Sequence, residues 1–288
     1  MQNNARTGIM LMVLTTFIFA VQDGISRYLA EQYGPIMIVM IRYWFFAVFV
    51  IALSAARSGG IWRVARTRQP FLQIFRGVLL VAEICVAIAA FVALGLVQAH
   101  AIFASYPLMI AALSGPILGE RVGWRRWAAI GVGLIGVLII LRPGSQVFSI
   151  GAILALTAAF MFALYGLLTR YAARKDSAET SFFWTGIAGA VAITLIGVFF
   201  WQPLAQKDWG WMAVLSITGA LGHYLLIKAY EAAEASTIQP FAYFQLVFAS
   251  MIGVLVFAET LQSRVVLGAI IVVSAGLFTL FRQNREKA

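Results

Sequence analysis

The sequence predicts an all-α membrane protein: ten transmembrane helices arranged as two inverted five-helix repeats. Three observations carry that prediction. Apolar residues are too many for one soluble core, they gather in ten runs of spanning length, and a pattern from the first run returns near mid-chain. Hydrophobic residues make up 62% of the 288 and charged residues 11%, where soluble domains carry roughly 45–50% and about 25%. Such a surface needs lipid as its solvent.

A net charge of +10 would suggest nucleic acid in a soluble protein. Here Lys and Arg sit in short loops between apolar runs, with no basic stripe across a folded face, so nucleic-acid binding is excluded. The single cysteine, Cys85, lies inside an apolar run and can form neither an internal disulfide nor a multi-cysteine metal site. The first run lacks a small-residue cleavage site and is long enough to span, so it reads as a retained helix rather than a signal peptide.

A helix crosses the hydrocarbon in about 20 residues. Runs of that order lie near 9–29, 36–56, 71–94, 100–118, 125–141, 150–171, 180–201, 211–230, 237–257 and 264–281. Between them only 57–70 and 202–210 exceed a tight turn, which leaves no room for a soluble domain. Ten spans put both termini on one side. Sixteen of the 21 Lys and Arg fall on that side, four (Arg27, Arg142, Lys207 and Arg264) on the other, and Arg42 lies within a helix. The positive-inside rule then places both termini in the cytoplasm and the chain in the inner membrane. Trp62, Trp124, Trp127, Trp201, Trp209 and Trp211 sit near run ends as interfacial anchors, whereas Trp44 lies inside the second run.

The repeat is explicit. Gly8, Phe17, Phe19, Ala20, Arg27 and Tyr28 recur as Gly151, Phe160, Phe162, Ala163, Arg170 and Tyr171, each shifted by 143. Glu120 precedes a helix containing Gly136, and Glu259 precedes one containing Gly276. The halves 1–145 and 146–288 therefore hold five helices each. Five is odd, so the second half enters the membrane with opposite polarity. Inverted repeats point to secondary transporters, with substrate near the midplane between the halves.

Several stretches resemble the drug/metabolite transporter superfamily, specifically its ten-helix EamA-type exporters. They are Ile41-Arg42-Tyr43, Arg76-Gly77, the run from Tyr106-Pro107 through Gly119-Glu120, Trp124-Arg125-Arg126-Trp127, Gly136 and Arg142-Pro143-Gly144. Gln239-Pro240, Gly253 and Glu259 sit in similar places in the second half. The resemblance covers nearly the whole chain. It implies a basket in which helices one to four of each half surround a central cavity and the fifth helices brace them. It also implies efflux of amino acids, other metabolites or drugs, and the aromatic content is similar to that of aromatic amino-acid exporters.

Ionisable groups at bilayer depth cost about 2.5–3.5 kcal/mol on insertion scales, which singles out Asp23, Arg42, Glu83 and His223. Glu83 reads either as an amine ligand or proton carrier, or as a structural partner of Arg42. Under the repeat Ala93 matches Ala229, which sets Glu83 opposite Gly219 and His223 opposite Ala87. Glu83 and His223 should then share equivalent faces and look into the cavity. Asp23 and Arg27 are one turn apart, so an i,i+4 pair is the default, although Gly166 stands for Asp23 in the other half. Arg42 can fork onto a carboxylate or brace the outer interface. Trp44, Tyr106, Tyr165, Tyr224, Tyr243 and Gln245, with Gln22 and Tyr43, complete a pocket suited to amphipathic solutes.

Pro107, Pro116 and Pro240 interrupt helices four and nine. No phosphate loop, zinc-protease or nucleophile-elbow motif occurs, and Gly131-x-Gly133-x-x-Gly136 falls inside a membrane helix, where it reads as close helix packing. The expected protein is not an enzyme and holds no metal or cofactor. It exports small metabolites, amino acids above all (aromatic or otherwise neutral), by alternating access. It is proton-coupled or a facilitator, and a monomer suffices.

Overall fold

The computed structural model describes residues 5–56, 60–119, 122–141, 149–233 and 238–285. Glu120, Arg142-Pro143-Gly144 and the loop charges Arg57, Arg121 and Lys287 lie outside those residues. The chain is helical throughout, with no strand among the described residues. The helices are α1 (Ala5–Tyr33), α2 (Pro35–Ala55), α3 (Gly60–Ala65), α4 (Pro70–Leu94), α5 (Leu96–Phe103) and α6 (Tyr106–Leu118). They continue with α7 (Trp124–Leu141), α8 (Ile150–Ala172), α9 (Ala178–Gly197), α10 (Asp208–Ala232), α11 (Phe244–Phe257) and α12 (Ser263–Arg285).

Eight segments are long and apolar enough to span a membrane, with α5 and α6 together forming one of them. Two more complete a count of about ten: α10, which carries Asp208, His223 and Lys228, and α12, apolar over Ser263–Thr279. Each matches a run read from the sequence. The short α3 within 57–70 was not expected. Span four also starts at Leu96 rather than near 100, and this shifts His100 from the edge of the span to its interior.

Local chemistry sets the boundaries. Pro35 and Pro70 open α2 and α4, where their missing N–H costs nothing. Ser149 and Ser177 cap α8 and α9 by accepting from the Ala152 and Thr180 amides. Span four breaks at Ala104–Ser105, just before Pro107, and span nine opens with a 3-10 turn over Gln239–Tyr243 that contains Pro240. Pro116 does not interrupt its helix: α6 continues through it to Leu118 and stops at Gly119 in the left-handed region, φ 75°.

In the packed bundle α1 lies against α10 and α11, α4 against α8 and α9, and α2 against α9. The fifth helices of the halves, α7 and α12, pack chiefly on each other. A Cβ at Gly136 would sit 2.9 Å from the Gly268 carbonyl oxygen, and one at Gly268 would sit 2.6 Å from that of Gly136. Gly133 receives Leu108, while Gly131 faces open space, so two of the three glycines serve close packing. Val48, Leu195 and Leu255 stay exposed, as large apolar side chains do toward lipid.

Polar cross-links tie each end of the bundle. At the end bearing the N-terminus, Asp176 accepts from the Thr67 hydroxyl at 2.6 Å, the Arg68 amide at 2.9 Å and Gln73 Nε2 at 2.9 Å. Burial alone would raise the Asp176 carboxyl, yet the Arg68 amide and the Gln73, Thr67 and Gln69 side chains hold it below the ordinary carboxylate value. Beside it Arg76, buried in α4, donates to Thr169 Oγ1 and Gln73 Oε1. At the opposite end Asp208 accepts from the Tyr33 hydroxyl at 2.7 Å. Glu259 there pairs with Arg27 and accepts from the Leu96 and Val97 amides at 2.7 and 2.8 Å.

Candidate functional site

Two buried polar sites lie inside the bundle, and Asp23 stands between them. The first draws on α1, α2, α4 and α10. Arg42 and Glu83 are 5% and 3% exposed, their charges act on each other, and Asp23 acts on both. Among the described residues no ion pair joins Arg42 to Glu83, so of the two readings of Glu83 the structural pairing with Arg42 is not formed. Arg42 is buried, not at an interface. Its Nε would lie 2.8 Å from a Cβ at Gly219, and Gln22 Oε1 would lie 3.4 Å from that Cβ. Gln22 Oε1 is itself buried without a hydrogen-bond partner among the described residues. The register expected from the sequence sets Gly219 opposite Glu83. The bare backbone of Gly219 admits the Arg42 guanidinium.

His223 borders this site between the Phe19 and Phe46 rings, at centroid distances of 5.3 and 5.7 Å, within the field of Arg42. No ion pair joins it to Glu83 among the described residues.

Asp23 does not pair with Arg27. Its Oδ2 accepts from Gln245 Nε2 at 3.0 Å and lies 3.0 Å from His100 Nε2. Arg27 instead reaches Glu31 at 3.1 Å and Glu259, with its guanidinium over Phe257. The physical reason is reach. The short Asp side chain meets the donors of α5 and α11 that face it, and the long Arg side chain extends to the end of α11, where Glu259 projects.

The second site is a cavity of about 100 Å³ between the breaks of spans four and nine and the α7–α12 pair. Its wall includes His100, Tyr106, Ser114, Arg126, Arg170, Tyr243, Gln245 and Thr279, and no carboxylate. Tyr243 is held with its hydroxyl against Gly276, 1.8 Å from where a Cβ would stand, and that hydroxyl has no partner among the described residues.

The expected single pocket is therefore divided. Arg42, Glu83 and His223 form one site, Tyr106, Tyr243 and Gln245 line the other, and Asp23 touches both. Tyr165 lies under the Arg76 guanidinium, 5.2 Å from ring centroid to Cζ, and Tyr224 is close to the Lys228 ammonium. Trp44 is 39% exposed, stacks on Trp201 and donates to Thr194 Oγ1 at 2.8 Å, at the perimeter of the bundle. Sequence reading missed His100 and Arg126. The signal for His100 was an ionisable group in an apolar run, hidden by a boundary placed four residues late. Arg126 was counted as a loop charge.

About ten spans and buried ionisable side chains inside the bundle fit a multi-span membrane transporter. Residues 6–142 and 149–281 each match the EamA-like transporter family, and the chain belongs to it. It is 30% identical over 286 residues to a riboflavin transporter of Vibrio cholerae, covering 97% of this chain and 95% of that one. It is 23% identical over 279 residues to an S-adenosylmethionine uptake transporter of Rickettsia prowazekii, covering 97% and 94%. With a pseudopaline exporter of Pseudomonas aeruginosa it shares 25% identity over 272 residues, 94% of each. A crystal structure superposes with a TM-score of 0.68 over 99% of this chain and 100% of its own at 17% identity, a likeness of fold.

Proposed function

We propose that the protein carries small zwitterionic metabolites of the amino-acid type across the membrane by alternating access. The observation that supports this most is the neighbouring burial of Arg42 and Glu83 with opposite charges and no ion pair between them. A carboxylate suits the Arg42 fork and an ammonium suits Glu83, so one substrate molecule neutralises both. The Phe19 and Phe46 rings beside His223 suit an apolar or aromatic side chain. The S-adenosylmethionine transporter fits this reading, because that solute bears an amino-acid head group. The relatives include both uptake carriers and an exporter, so direction in this reading follows the gradient, with or without proton coupling. The charge asymmetry supports a chain in the inner membrane with both termini cytoplasmic. A green fluorescent protein fused at Ala288 should fluoresce, and alkaline phosphatase there should stay inactive; the opposite pattern inverts the topology.

The test of substrate is counterflow in liposomes with an amino-acid panel, S-adenosylmethionine and riboflavin. Saturable exchange of a subset of amino acids is expected. Arg42→Gln and Glu83→Gln should each lower it at least about tenfold, the loss of one charge-assisted hydrogen bond in a buried site. The riboflavin relative motivates a second reading, a carrier of larger aromatic metabolites. Exchange of riboflavin with none of any amino acid would replace the first reading by the second.

A further inference from the structure

We infer that the cavity walled by Arg126, Tyr243 and Arg170 binds an oxyanion, the phosphate or carboxylate group of a free metabolite or of an acidic lipid. This goes beyond the Arg42–Glu83 reading and stands without it.

The argument starts with Arg126. It occupies the first turn of α7, where the positive-inside rule would explain an arginine reaching into water. Its neighbour Arg125 does that and is exposed; Arg126 is 4% exposed and points inward. Arg126 Nε is buried without a hydrogen-bond partner among the described residues. A buried arginine N–H without an acceptor is costly, and fully partnered polar groups are the rule in native interiors.

The other groups on the wall narrow the ligand. The Tyr243 hydroxyl is a second buried polar group with no partner. Other side chains on the wall have theirs. His100 and Gln245 turn to Asp23, the Ser114 hydroxyl donates to the Ala111 carbonyl, and that of Thr279 donates to the Gly276 carbonyl. What is left over is two donors, Arg126 Nε–H and Tyr243 O–H, with a second guanidinium, Arg170, on the wall and no carboxylate. An acceptor that meets these donors satisfies them, and a negatively charged one also compensates Arg126. The cavity, about 100 Å³, has room for a phosphate or carboxylate group.

The experiment uses the full chain in neutral detergent, with thermal unfolding followed during titration with inorganic phosphate at constant ionic strength against chloride. A parallel sample in phosphatidylcholine nanodiscs, with or without phosphatidylglycerol, is read by native mass spectrometry for retained lipid. A saturable rise in the midpoint with phosphate, weakened about tenfold or more in Arg126→Gln and unchanged in Arg125→Gln, supports a free anion. Retention of phosphatidylglycerol by the native chain and not by Arg126→Gln, with no phosphate effect, supports the lipid source. Should Arg126→Gln not fold, Tyr243→Phe is expected to weaken the same signal several-fold and Arg126→Lys to keep part of it. Binding of neither probe overturns the inference. So does binding that Arg126→Gln, or Tyr243→Phe with Arg126→Lys, leaves at the native level. Phosphate or lipid binding without amino-acid counterflow would sink the zwitterion reading alone.

Discussion

A methyl group at position 219 would land 2.8 Å from Arg42 Nε, closer than real side chains approach. Gly219→Ala must therefore move the guanidinium, at an overpacking cost of about 1–3 kcal/mol. The expected outcome is counterflow reduced about tenfold in a chain that still folds, with Gly210→Ala, which meets nothing within 4 Å, as an unaffected control. Equal activity of the two variants would show that Arg42 does not need this place. Asp23, Arg42, Glu83 and His223 were legible as functional suspects, because charge inside an apolar run is visible in one dimension. Their partners were not. Asp23 finds His100 and Gln245 across separations of 77 and 222 residues, so the local Asp23–Arg27 pairing loses to contacts that only the folded bundle creates.

At the level of elements, Asp176 links the 67–69 segment, α4 and the turn before α9 through one carboxylate. Its folded pKa lies below the unfolded value. The stabilisation is thus fully present above the ordinary carboxylate pKa, about 3.9, and is lost as pH falls through the lower folded value. Asp176→Asn should lower the unfolding midpoint at pH 7, and the gap to the native chain should narrow on acidification toward pH 3; a gap constant with pH would reject the linkage. In the brace pair, Gly136→Ala sets a methyl against the Gly268 carbonyl and should cost about 1–3 kcal/mol of stability, measured by thermal unfolding, whereas Gly131→Ala should cost nothing similar. The ten spans were legible because lipid demands apolar length. Helix α3 was not, since six residues of loop helix carry no hydropathy signal, and the breaks in spans four and nine were visible only through Pro107 and Pro240.

For the molecule as a whole, Glu259 binds Arg27 of the first span and caps the start of α5 in the same move, closing one end of the bundle across the two halves. Glu259→Gln should speed hydrogen exchange at the Leu96 and Val97 amides about tenfold or more, the loss of charge-assisted acceptors. Unchanged exchange would mean that the backbone, not Glu259, holds this end shut. The repeat was legible from residues at a fixed shift, while the latch was not. Arg27 has a counterpart in Arg170, yet Arg27 grips Glu259 and Arg170 lines a cavity. Two copies of one ancestral half have taken up different work.

The register that sets Gly219 opposite Glu83 has a consequence for how far one half can stand in for the other. A homodimer of residues 1–145 would set a second Glu83 where Gly219 now admits the Arg42 guanidinium, and a second Asp23 in place of Gly166. The second copy would bring its own Arg42 as well, but the glycine against which the first guanidinium lies would be gone. At this position the halves are not interchangeable: a second copy of the first half would take away the bare backbone that the Arg42 guanidinium lies against.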